Sequence, residues 1–83
     1  MLIPGKLYRT KTHLSFVSNT SLMFDIPVDS LVLYLYKLDH CERGTMWYDL
    51  HFIVPGFSQT LKLVKYKLTV EEFMTNNFKL AET

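Results

Sequence analysis

The stretch from Leu31 to Leu38, Leu-Val-Leu-Tyr-Leu-Tyr-Lys-Leu, constrains this chain more than any other. Read as an extended strand, it places Leu31, Leu33 and Leu35 on one face and Val32, Tyr34, Tyr36 and Leu38 on the other. A strand with one solvated face alternates apolar and polar residues, so a strand apolar on both faces needs a cover on both. One cover is the domain's own core. The other is either a further part of the chain or a partner molecule, and that choice is the functional question.

The strand has a mate downstream. From Met46 to Val54, the residues Met46, Tyr48, Leu50, Phe52 and Val54 form an unbroken apolar face, whereas Trp47, Asp49, His51 and Ile53 form a mixed one. The first is the expected core face. Asp39 to Thr45 is read as the polar turn between the strands, with Gly44 able to supply a positive φ. Pairing then sets either the leucines or the tyrosines of the first strand beside the mixed face, and tyrosine hydroxyls favour the wetter side. Tyr34, Tyr36, Trp47, His51 and Ile53 are therefore the expected outward face and the candidate protein interface. The competing expectation is that the chain covers them itself, with a helix near Val70 to Met74 or with a loop carrying Phe16 and Phe24.

Elsewhere the pattern is of short strands. Lys6 to Thr12 reads as a first strand with a cationic outer side, and His13 to Asp29 as a long loop or irregular hairpin turning at Asn19-Thr20-Ser21. Pro55-Gly56 ends the second strand of the hairpin. Leu61 to Leu68 is a third long strand whose apolar phase breaks near Leu63-Val64, which predicts a β-bulge there and sets Lys62, Lys65 and Lys67 on one solvent side. Thr69-Val70-Glu71-Glu72 matches a capping box and predicts a short helix stopping at Asn76-Asn77. Phe78 to Glu82 alternates as a closing strand, or else continues the helical stripe.

The whole, 83 residues read as one domain, is expected to be mainly β: a small barrel of four to five antiparallel strands with a short C-terminal helix. In pattern it resembles an SH3-like barrel of the short, stand-alone kind found among bacteriophage-encoded proteins. The resemblance rests on Pro4-Gly5-Lys6-Leu7-Tyr8, on Ile26-Pro27-Val28-Asp29-Ser30 leading into the hairpin, and on Thr69-Val70-Glu71-Glu72-Phe73. It implies a phage-encoded modulator of a host protein, acting in the host cytoplasm. The acidic loop and Trp-Trp signature of peptide-binding SH3 domains are absent, Trp47 being the sole tryptophan, so proline-rich ligand recognition does not carry over.

Residues with catalytic or metal-binding chemistry are sparse. His40-Cys41 is the one adjacent pair of ligand types, and His13 and His51 belong to other elements, too few for a zinc site, so no metal and no cofactor is expected. Asp49 and His51, two apart on one strand, share a face and could pair, but a glycine-rich phosphate loop and a carboxylate cluster are missing. A non-catalytic protein is expected. The single cysteine and the lack of a basic start followed by a long apolar run point to the cytoplasm. The longest apolar run, Leu31 to Tyr36, falls far short of the roughly 20 residues that span a bilayer.

Net charge is +1 but segregated: residues 1 to 24 carry +3, 25 to 50 carry −3, and 51 to 68 carry +3. If the basic blocks converge, Lys6, Arg9 and Lys11 with Lys62, Lys65 and Lys67 would form a nucleic-acid patch, with nearby aromatics for stacking. A pI near 7.9 and only two arginines weigh against that alternative. The leading expectation is a protein partner or self-association through the hairpin's outward face.

Overall fold

A computed structural model describes residues 2–81. The chain runs β1 (Leu7–Thr10), β2 (Leu14–Val17), β3 (Met23–Ile26), β4 (Leu31–Glu42), β5 (Thr45–Ile53), β6 (Leu61–Tyr66), α1 (Val70–Asn77) and β7 (Phe78–Leu80). The protein is mainly β with one short helix near its C-terminal end, as the patterning predicts. Among the described residues its strands number seven, not four or five. The extra two come from residues 13 to 29, where Leu14 and Phe16, then Phe24 and Ile26, alternate inward on either side of a turn closed by the Ser18 N–H donating to the Leu22 carbonyl. Each of these strands is only four residues long, so its alternation is too brief to stand out in the sequence.

All pairings are antiparallel, in the order β3-β2-β6-β5-β4-β1-β7. A flat sheet cannot hold this order. The chain from Ile26 to Leu31 reaches at most about 17 Å, whereas β3 and β4 would lie four spacings, about 19 Å, apart. The sheet therefore curls into a half-barrel. Its concave side brings Phe52 of β5 to 5.3 Å from Phe78 of β7, two rings that start three strand spacings apart. Phe16 meets Phe52 edge-on at the same distance. Thr10 ties the β3–β4 crossing in place: its hydroxyl donates to the Pro27 carbonyl and accepts from the Ser30 N–H, and its carbonyl accepts from the Asp29 N–H.

The doubly apolar strand is resolved by a bulge. Tyr34 lies opposite Phe52 and Tyr36 opposite His51, so Leu35 is an extra residue without a cross-strand mate. Before it, Val32 and Tyr34 point into the core. Beyond it, Tyr36, Leu38 and His40 fall on the outward face. Tyr34 is thus not an outward residue as expected: it is 2% exposed and packs its ring 5.4 Å from Phe52. Burial, together with the neighbouring Tyr8, holds its hydroxyl in the protonated form beyond the usual range.

The bulge expected at Leu63-Val64 does not form. β6 pairs with β5 in unbroken register from Phe52↔Leu61 to Trp47↔Tyr66, so Leu61 and Leu63 face the core while Lys62, Val64 and Tyr66 face outward. Lys65 points to the core side, where its ammonium sits 4.1 Å from the Phe73 ring centre. Lys62 and Lys65 therefore do not share a side.

The hairpin turn is also tighter than Asp39 to Thr45. β4 continues to Glu42, and two residues close the turn, Arg43 at φ 51° and Gly44 at φ 81°. Positive φ at both positions matches the right-handed twist of the strands. At about 3.3 Å per residue the 12-residue β4 runs some 40 Å, the length of the molecule's longest dimension of 41 Å.

α1 starts after Thr69, but no capping box forms: the Thr69 hydroxyl donates back to the Tyr66 carbonyl. Val70 and Met74 enter the core and Phe73 packs against it. Asn77 ends the helix, its side-chain amide donating to the Phe73 carbonyl and its carbonyl accepting from the Lys11 N–H. β7 then pairs with β1, which closes that edge. The part of the closing strand expected at Glu82 lies outside the described residues.

Candidate functional site

Register places the outward side chains of five strands in rows. Leu7, Leu33 and Ile53 form the first, and Tyr36, His51 and Lys62 the second, with Val17 of β2 beyond Lys62. Leu38, Asp49 and Val64 form the third, and His40, Trp47 and Tyr66 the fourth. Side chains directly opposite on neighbouring strands stand close enough to touch. Two largely apolar rows thus enclose a polar centre.

That centre is organised by Asp49. Nε2 of His40 lies 3.0 Å from its Oδ2, and the Lys62 ammonium 3.6 Å from the same oxygen. His40 also stacks on Trp47 at 5.6 Å between ring centres. His51 stands apart from this network. It is 8% exposed, stacks on the Tyr36 ring at 4.7 Å, and neither ring nitrogen meets a hydrogen-bond partner. Burial holds its pKa below the ordinary histidine value; Lys62 and His40 push the same way, and Asp49 opposes them. The expected Asp49–His51 pair is therefore replaced by Asp49–His40, which a strand's two-residue period alone could not reveal because the partner comes from across the hairpin.

Around the centre, apolar groups lie open to solvent. Leu38 is 47% exposed, Val64 49% and Tyr66 64%. A shallow groove of about 300 Å³ lined by Thr45, Trp47, Val64 and Tyr66 occupies the turn end of the face. Neither internal cover anticipated from the sequence lies over it. Phe16 is in the core, Phe24 packs against the core, and the helix buries Val70 and Met74 on the same inner side.

Of the expected interface residues, Tyr36, Trp47, His51 and Ile53 share this face, while Tyr34 does not. Leu38, read on the face of Tyr36, and Leu33, of the alternative leucine face, also belong to it, as do Leu7, Val64 and Tyr66, which were not anticipated. The alternation of Lys62, Val64 and Tyr66 against Leu61 and Leu63 carried that signal, hidden by the assumption that apolar side chains must point inward.

The cations of the nucleic-acid alternative do not gather on one strand pair. Lys6, Arg9 and Lys11 lie in or beside β1, separated from β6 by β4 and β5. Arg9 donates to the Asp29 carbonyl, Lys11 to the Thr75 carbonyl and Lys67 to the Met46 sulfur. Cys41 is exposed and, next to His40 in a strand, points to the opposite face. Among the described residues no group of three or more His, Cys, Asp or Glu side chains is placed to hold a metal ion, and no helix is long and apolar enough to cross a membrane. Comparison with known protein families, with curated proteins and with solved structures found no match.

Proposed function

We propose that the protein is a non-catalytic interaction module that docks a protein partner on the outer face of β4, β5 and β6. The observation that carries this reading is the make-up of that face: exposed Tyr36 and Leu38 on β4, Ile53 on β5, and Val64 and Tyr66 on β6 flank the His51 and Asp49 centre, and among the described residues no element packs on them. Exposed apolar side chains gathered on one face mark interaction sites. Trp47 and the tyrosines are residue types that dominate binding energy, and the Asp49 network supplies a polar centre that favours one docking orientation.

The SH3-like reading belongs here too. A long first connection holding the β2–β3 hairpin, one helix before the last strand, and pairing of the last strand with the first all support it. A phage-encoded modulator of a host protein is the biological form that this resemblance implies.

The test is substitution on the face. Leu38→Glu with Val64→Glu puts two charges where a partner would bury two aliphatic side chains, each worth about 1.5–3 kcal/mol when fully covered. The folded state should survive with some loss of stability, since both residues are already open to water although each new carboxylate stands opposite Asp49, while partner affinity should fall by about 100-fold or more. Unchanged affinity for a captured partner would refute the assignment.

A further inference from the structure

We propose that the His51–Tyr36 stack is a pH-operated cover, in which protonation of His51 displaces Tyr36 and opens the middle of the outer face to water. The argument starts from the imidazole. It is enclosed at the centre of the four rows with no hydrogen bond to either nitrogen. A neutral ring tolerates this, but an imidazolium would bury a charge and two N–H donors without acceptors, which is strongly unfavourable.

The groups facing it offer no internal remedy. From β4 come Tyr36 and His40, from β5 Asp49, and from β6 Lys62; Val17 of β2, beyond Lys62, is uncharged. Asp49 is the only anion among them, and His40 and Lys62 already converge on its Oδ2. Lys62, and His40 when it carries a proton, oppose a further charge beside them. Water is then the available acceptor, and the group between the ring and water that can yield is Tyr36. Its side chain is 46% exposed, and it follows Leu35, the residue with no cross-strand mate. Displacing a half-exposed ring beside a bulge costs less than keeping an unpaired buried charge.

The consequence for a partner rests on the docking reading above, because Tyr36 is part of the docking face. The movement itself belongs to the isolated chain and is tested there, so the two can fail separately. In labelled whole protein without a partner, the imidazole nitrogens of His51 and the ring protons of Tyr36 are followed by NMR as the pH is lowered, in the wild type, in His40→Gln and in Tyr36→Ala. His51 should titrate below the ordinary value of about 6.5. The Tyr36 ring signals should shift with the same midpoint in wild type and in His40→Gln, and Tyr36→Ala should raise the His51 midpoint towards that ordinary value. Tyr36 signals that stay fixed while His51 titrates, that follow His40 and lose their shift in His40→Gln, or a chain that unfolds before His51 takes its proton would each overturn the proposal. If Tyr36→Ala does not fold, the other two titrations still decide.

Discussion

His51 and Phe52 are neighbours on β5 and show what one residue's change of face does. Phe52 is fully buried and in ring contact with Phe16, Tyr34 and Phe78, so it joins four strands of the curled sheet. Phe52→Ala should cost about 3–5 kcal/mol, a large share of the stability of so small a protein, read as a drop in the urea midpoint. His51, on the other side, is neutral and enclosed. The unfolded chain takes up its proton near pH 6.5 and the folded chain only below that value, so acidification through the interval favours unfolding. Stability contributed by His51 is complete above about pH 6.5, falls as the pH drops towards the folded-state value, and levels off beneath it. Urea midpoints measured across this interval should decline in the wild type and decline less in His51→Gln. Which face each residue takes was readable from β5's alternation; that His40 and not His51 would claim Asp49 was not, because it depends on a register set by the bulge across the hairpin.

At the scale of elements, the bulge at Leu35 does most to shape the molecule. The sequence shows one strand apolar on both faces, Leu31 to Leu38, and one of broken phase, Leu61 to Leu68; the bulge expected in the second lies in the first. The second needs no correction because Val64 and Tyr66 simply face outward. Deleting Leu35 gives a direct check. With a bulge there, removal leaves Tyr34 opposite Phe52 and Tyr36 opposite His51, and the loss should stay within the ordinary mutational range of about 0.5–3 kcal/mol. Without one, the same deletion would turn Tyr36, Leu38 and His40 to the other face and abolish cooperative unfolding. The turn offers a second check, since Arg43 holds a positive φ that costs an ordinary side chain energy. Arg43→Asn should raise stability by about 0.5–1 kcal/mol, measured as a higher melting temperature. The helix was readable from Thr69 onward and the strand from Phe78 as one of two alternatives, although the cap was not: the Thr69 hydroxyl donates to a carbonyl of the preceding turn.

For the whole molecule, the sequence carried the anomaly and the structure shows what remains of it. A mainly β chain with a late helix follows from alternation and turn residues. The curl does not, because it comes from strand order and from the short Pro27–Ser30 crossing, neither of which leaves a periodic signal. Curling sends the helix, Phe16 and Phe24 all to the concave side, and this is why the outer face keeps its apolar rows in water. It also keeps the two basic blocks on strands that β4 and β5 separate. The central claim is that this uncovered face docks a protein. Its most direct measurement is affinity capture from cell lysate, with and without nuclease, using three baits: wild type, Leu38→Glu with Val64→Glu, and Lys6→Ala with Lys11→Ala. The account predicts one protein partner retained by the wild type and the lysine variant and lost by the outer-face variant, with all three baits folded; a partner held equally by the outer-face variant, or capture abolished by nuclease, would contradict it.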